Sequence, residues 1–291
     1  MYTTPLLSET IAFVGAGSLA EAIFRGLIEK RVASPERIFA VNKQSDDRLH
    51  YIRETYGIRA SREPEQRDKA IAEADIVVLN MKPKDAVEGI GEIRHLLRPG
   101  QMIVSVIAGL SIETIQHLLG GSYAVVRTMP NTSSTIGLGA TGISFSGAVT
   151  AEQRKTALAM FEAIGIVCAV EEHLLEIVTG VSGSGPAYFY YFMEAMIAAG
   201  IEGGLSAEDA RQLTVQTALG AAQMVNTTGE APVELRRKVT SPNGTTHAAI
   251  ELMEQHGVAS AVSKAVFRSA DRAREMGQQL AEQAIGQGKQ V

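Results

Sequence analysis

Three short stretches hold residue types whose spacing points to chemistry. Val14-Gly15-Ala16-Gly17-Ser18-Leu19-Ala20 fits G-x-G-x-x-G/A. In that pattern the first glycine permits a tight turn and the second lets a pyrophosphate approach the backbone. A small residue in the last place, here Ala20, lets the helix pack on its strand. The helix start then offers unpaired N–H groups and a partial positive charge to phosphates. The motif is weak alone. Here it follows an apolar strand, TIAFV, and opens the helical pattern SLAEAIFRGLIEK, which is the context that gives it meaning.

The second stretch is Val41-Asn42-Lys43-Gln44-Ser45, at the tip of the next strand. An NAD site usually carries Asp or Glu there to hold the ribose 2′-hydroxyl. None is present, and Asn42, Lys43, Ser45 and Arg48 suit a 2′-phosphate, so NADPH is the expected cofactor, with NADH as the alternative. Asp46 and Asp47 also fit as first-turn acids of a helix capped by Ser45.

The third stretch is Ser241-Pro242-Asn243-Gly244-Thr245-Thr246. Pro-Asn-Gly sets a tight turn before a helix over HAAIELMEQHG, which Gly257 would end. Two readings fit: an ordinary helix start, or exposed amides and hydroxyls that hold a carboxylate. The chain shows no clear proton-abstracting group. Of six histidines only His247 lies near this loop, and its spacing to Glu251 fits a contact along the helix face equally well. A hydride donor without a general base suits reduction of an already electrophilic C=N bond. A small cyclic imino acid carries the carboxylate and the nitrogen such a site would read.

These residues need a scaffold. The first part of the chain alternates apolar β-branched runs (IAFV, RIFAV, ADIVVL, MIVSV, SYAVV) with helix-compatible stretches. That pattern predicts a parallel sheet wrapped by helices, with ATGISFS and GIVCAV as added strands at one edge. Ligands of such sheets bind beyond the carboxyl ends of the strands. Gly15, Asn42, Met81-Lys82-Pro83, Ala108-Gly109 and Asn131 should therefore line one crevice. Pro83 also suits the first position of a helix, and Asn131 is equally a turn residue or a group that orients nicotinamide. After Glu171 the patterns are long and helix-prone with no competing strand. The expectation is an α/β chain: a Rossmann-type dinucleotide-binding domain over 1–170 and an all-helical substrate and dimerisation domain over 171–291.

Composition excludes several classes. A net charge of −5 leaves no basic surface for nucleic acid. No apolar run reaches the roughly 20 residues that span a membrane. No histidine pair has metal-binding spacing, and no metal is expected. The one cysteine, Cys168 in IGIVCAV, reads as a buried core thiol. The N-terminus MYTTPLLSET lacks a basic-then-apolar signal pattern, so a cytoplasmic location is expected.

FVGAGSLAEAIFRGL, ADIVVLNMKP, SVIAGLSI, VVRTMPNT, VTGVSGSGPAYFYYFMEA and LRRKVTSPNGTT, in this order, resemble pyrroline-5-carboxylate reductases over nearly the whole chain. The resemblance implies a Rossmann domain, then a helical domain that dimerises by interleaving, with dimers building rings up to decamers. It implies NAD(P)H-dependent reduction of 1-pyrroline-5-carboxylate to L-proline. By position, Val14, Gly15, Ala16, Gly17, Ser18 and Leu19 would hold the cofactor phosphates. Asn80, Met81, Lys82 and Pro83, with Val106, Ile107 and Ala108, would lie around the cofactor. Ser241, Asn243, Gly244, Thr245 and Thr246 would form the substrate loop, with the Thr246 hydroxyl on the imine nitrogen and amides near Gly244 and Thr245 on the carboxylate. Two departures stand out: Asn243 replaces the first glycine of the family's SPGGTT, and Asn80-Met81 replaces a usual Ala-Val. They keep open an alternative, a cofactor-binding paralogue that has lost catalysis. The related β-hydroxyacid dehydrogenases would carry a lysine after the glycine-rich helix start, and SGSGPAYFYYF has none.

Overall fold

The structure is a computed structural model and describes residues 7–42 and 45–287. Its chain separates into two compact units, one running to Gly183 and resuming at Arg268, the other covering Ser184–Phe267.

The first unit is built on an eight-stranded sheet in the order β3-β2-β1-β4-β5-β6-β7-β8. The strands are β1 (Ile11–Val14), β2 (Ile38–Val41), β3 (Arg59–Ala60), β4 (Ile76–Leu79), β5 (Met102–Ser105), β6 (Ala124–Met129), β7 (Gly139–Phe145) and β8 (Gly165–Ala169). All pairs from β3 to β6 are parallel; β7 runs antiparallel to β6, and β8 closes the edge parallel to β7. The two-residue β3 carries no sequence signal of its own: it is too short for any alternation to show. Helices α1 (Ser18–Glu29), α2 (Asp46–Tyr56), α3 (Pro64–Glu73), α4 (Ala86–Ile93), α5 (Ile112–Leu119) and α6 (Ala151–Glu162) cross between strands. A short α7 (Leu175–Val178) follows.

Successive strand residues divide between two apolar layers, the reason the strands read as unbroken hydrophobic runs. Phe13, Ala40, Val78 and Val104 enter one layer with α1, α2 and α6. Ala12, Val77, Leu79 and Ile103 enter the other with α3, α4 and α5. Leu280 and Ala284 join that second layer. They come from α12 (Val258–Gln287), so the end of a helix placed by sequence in the second domain groups with the sheet.

Cys168 is exposed, against the expectation of a core thiol. On edge strand β8, Val167 packs toward the first layer, so its neighbours Ile166 and Cys168 point the other way. The sequence placed this run at the sheet edge but did not show which of its faces is left open.

The second unit holds α8 (Gly185–Glu202), α9 (Ala207–Thr228), α10 (Pro232–Lys238) and α11 (Thr245–Gln255). Helices α8 and α9 approach closely where Gly200 faces Ala210. Large apolar side chains, including Phe189, Tyr191, Leu213 and Leu219, stand exposed in the single chain. Among the described residues no helix is long and apolar enough to cross a membrane, and no group of three potential metal ligands occurs.

Candidate active site

The cleft of the first unit lies where the strand order reverses, between β1 and β4, the place such sheets bind ligands. At the end of β1 the chain turns sharply. Gly15 has φ +109°, and its N–H donates to Val41 O at 3.1 Å. A Cβ at Gly15 would lie 2.1 Å from Asn80 O, so only glycine fits. Gly17 caps α1 in an extended conformation with no side-chain cap, and the first intrahelical bond runs from Glu21 N–H to Gly17 O. The amides of Ser18, Leu19 and Ala20 precede that bond and remain for an anion. Ala20 is fully buried, as helix-on-strand packing requires.

A cleft of about 430 Å³ opens over this loop. It is lined by Val14, Gly15, Ala16 and Gly17, by Asn42, and by Asn80, Met81 and Lys82. Asn80 Nδ2 donates to Gly15 O at 3.3 Å, so this departure from the family pattern ties the end of β4 to the glycine turn. Met81 finds its room over Gly89 of α4, where a Cβ would stand 2.6 Å from its Sδ. Lys82 is exposed, and Pro83 opens a short 3₁₀ turn, Pro83–Asp85, that leads into α4. Ser18, Leu19 and Pro83 adjoin the lining but are not part of it.

Beyond β2 the described residues resume at Ser45, so the expectation for Lys43 falls outside them. Asn42 is half-buried and no carboxylate ends the strand. The Ser45 hydroxyl caps α2, accepting from Arg48 N–H at 3.1 Å, and Asp46 pairs with Arg62 at 3.0 Å. Arg48 is already engaged: Nε donates to Ala16 O at 3.0 Å and Nη2 pairs with Glu21. The guanidinium thus fastens the glycine loop to α2. Tyr56 and Tyr51 also donate to Glu21. Burial opposes ionisation of Glu21, but the bonds from Tyr56 and Arg48 outweigh it and hold the carboxyl below its ordinary range. Burial and the same bond raise the Tyr56 hydroxyl. Sequence reasoning missed this clasp because its four members are scattered between positions 21 and 56.

Val106, Ile107 and Ala108 follow β5. Val106 N–H donates to Leu79 O at 3.2 Å, and Ser105 Oγ accepts from Ile107 N–H at 3.3 Å. They stand at a strand end but not in the lining of the cleft. Asn131 is a clasp after β6: Nδ2 donates to Ser182 O at 3.1 Å and Oδ1 accepts from Ala140 N–H at 3.2 Å. Those bonds favour the turn reading over contact with nicotinamide. Nearby, buried Arg127 pairs with Glu172 at 3.1 Å and Glu176 at 2.9 Å, and Glu172 also accepts the first amide of α5, Ile112 N–H, at 2.7 Å.

In the second unit, Gly244 N–H donates to Ser241 O at 3.0 Å. With Pro242 second and Asn243 third at φ +58°, this is the type II pattern. Asn243 takes the left-handed conformation that glycine would take in the family loop, which Asn tolerates. Gly244 caps α11 with extended backbone and no side-chain cap, and the first intrahelical bond is Ala248 N–H to Gly244 O at 3.1 Å. The amides of Thr245, Thr246 and His247 precede it. Thr245 is exposed and Thr246 half-buried. His247 Nδ1 lies 3.7 Å from Glu251, the helix-face contact its spacing allowed.

Both helix starts have the same design. A residue at positive φ precedes a glycine cap without a side-chain partner, and three amides precede the first intrahelical bond. The glycine cradle and the uncapped α1 amides fit a dinucleotide.

Comparison with known proteins agrees with this arrangement. Residues 10–109 match the family model described as NADP oxidoreductase coenzyme F420-dependent, and residues 172–276 match that for pyrroline-5-carboxylate reductase dimerisation. The chain is 41% identical over 275 residues to pyrroline-5-carboxylate reductase 2 of Bacillus subtilis, covering 94% of this chain and 98% of that one. It is similar to the solved pyrroline-5-carboxylate reductase of Coxiella burnetii, with TM-score 0.85 and 35% identity over 93% of this chain and 99% of that one. It is also similar to the NADP-bound pyrroline carboxylate reductase of Plasmodium falciparum, with TM-score 0.84 and 25% identity over 94% and 100% of the two chains.

Proposed function

Because the chain belongs to the pyrroline-5-carboxylate reductase family, we propose that its two uncapped helix starts serve one reaction. That reaction is the NAD(P)H-dependent reduction of 1-pyrroline-5-carboxylate to L-proline. The C=N carbon takes a hydride and the nitrogen a proton; the nicotinamide cofactor supplies the hydride when bound. The chain's own residues bind and orient. The amides of Ser18, Leu19 and Ala20 hold the pyrophosphate, with Gly15 and Gly17 keeping side chains out of its way. Asn80 and Arg48 fix the glycine turn. Asn42, at a strand tip without a carboxylate, leaves room for the 2′-phosphate of NADPH. Val106, Ile107 and Ala108 wall the cofactor further along the strand ends.

At the α11 start, amides near Gly244 and Thr245 hold the substrate carboxylate, Ser241 and Asn243 shape the turn, and the Thr246 hydroxyl oxygen accepts from the N–H of the protonated imine. No general base is required, since the protonated imine is already electrophilic. The single observation that carries this assignment is the Gly244 cap at α11, extended and without a side-chain partner, behind the positive φ of Asn243.

In this reading residues 1–170 serve the cofactor and residues 171–291 the substrate and pairing. The exposed apolar faces of α8 and α9 are covered by a second copy, with assembly of dimers into a decamer as the further step. A cytoplasmic location completes the reading. The test is NADPH oxidation by the purified protein with 1-pyrroline-5-carboxylate. NADPH binding without turnover above background would overturn it.

A further inference from the structure

We propose that the C-terminal stretch of α12 is a positioning element for the cofactor: Ala273 and Gly277 set the height of the Val106–Gly109 turn. The inference rests on reading that turn as a cofactor wall. Here two backbones meet with no side chain between them. A Cβ at Gly277 would lie 2.5 Å from Gly109 O. One at Gly109 would lie 3.0 Å from Ala273 O and 3.1 Å from Gly277 N. Glycine weakens a helix interior, and a packing contact is the usual reason to find one there. Ala273, Gly277, Leu280 and Ala284 follow helical spacing and share a face. Leu280 and Ala284 anchor that face in the apolar layer that also contains Leu79, Ile103 and Ile107.

The helix is therefore fixed one turn away from the contact, and the turn it touches is anchored in the same layer through Ile107 and Leu110. The bond from Leu110 N–H to Ile107 O is 3.4 Å long. Crowding the contact pushes the two backbones apart, and the turn shares that displacement. Residues 10–109, matched by the NADP model, end at the glycine that Ala273, inside the dimerisation match, and Gly277, just past its end, support from behind. This contact gives the helical part of the chain a direct hold on the cofactor wall.

Gly277→Ala tests this in the full-length enzyme. The added Cβ falls about 0.9 Å short of the 3.4 Å at which ordinary contact begins. A displacement of that size at a binding wall is expected to raise Kd and KM for NADPH about tenfold while KM for pyrroline-5-carboxylate stays within about twofold. Gly286→Ala, on the same helix with nothing within 4 Å, is the control and is expected to leave all three unchanged. Equal NADPH affinity in a folded Gly277→Ala enzyme and in Gly286→Ala would overturn the inference. Hydrogen exchange on the wild type reads the same contact without a variant. NADPH should slow amides of residues 273–280 and leave α6 alone, and no slowing would overturn the inference as well. Failure of the wild type to bind NADPH would instead strike the reading of the cleft.

Discussion

Gly15→Ala probes the cofactor cradle most directly. At φ +109° an alanine is strained, at about 1–3 kcal/mol. Its Cβ would also lie 2.1 Å from Asn80 O and 2.8 Å from Asn80 C. Those are backbone atoms in the sheet, held by Asn80 N–H to Val14 O at 2.9 Å, so no side chain can swing aside. Relief to 3.4 Å requires the loop to move about 1.3 Å away from β4. The movement breaks the Asn80 Nδ2 bond to Gly15 O, worth about 0.5–1.5 kcal/mol. Together the variant should lose about 2–4 kcal/mol of stability. Moving the α1 amides by an ångström off the phosphates should weaken NADPH binding about 100-fold. Fluorescence titration with NADPH and a thermal melt measure both. Gly120→Ala separates strain from collision: its φ is +72° but nothing lies within 4 Å. It should lose about 1 kcal/mol of stability and no NADPH affinity. A folded Gly15→Ala protein that binds NADPH within about twofold of wild type would refute the cradle.

Other outcomes follow from the same geometry. Thr246→Ala should lower kcat/KM for pyrroline-5-carboxylate about 10–100-fold, the loss of one hydrogen bond of about 1.5–3 kcal/mol. Thr246→Ser should retain most activity, and an unchanged Thr246→Ala would remove the hydroxyl from the reaction. Asn243→Gly should preserve activity because φ +58° suits glycine better still, whereas Asn243→Ala should cost about 1 kcal/mol of loop stability and raise KM for the imino acid. Glu21 has a lowered folded-state pKa, so its contribution is present above the unfolded value near 4.5 and lost as pH falls through the folded value. The melting-temperature gap between wild type and Glu21→Gln should thus be full at pH 6 and shrink below pH 4.5; a gap that is constant with pH would contradict the clasp. Arg127→Met strands Glu176 beside a buried side chain and should cost about 2–4 kcal/mol in denaturant melts.

The sequence by itself determined the parts whose chemistry is local. Apolar, β-branched runs gave β1, β2, β4, β5 and β6, because a strand covered on both faces is largely apolar along its length. Gly15-Ala16-Gly17 and Pro242-Asn243-Gly244 marked the two turns, because backbone conformation there depends on single residue types. Ser45 as a cap and Asp46–Asp47 as first-turn acids were legible for the same reason. Tertiary structure decided what depends on partners distant in the chain. Arg48 was a plausible phosphate ligand in sequence, but in the fold Ala16 O and Glu21 already hold it. Asn80 looked like a damaging departure, yet it braces Gly15 O across 65 positions. Cys168 lies in an apolar run placed at the sheet edge, but the fold turns its face of β8 away from the core and leaves it exposed. Gly277 shows in sequence only as a glycine in a helix interior: its meaning appears where the last helix meets Gly109, because close approach of two backbones is a property of the packed chain.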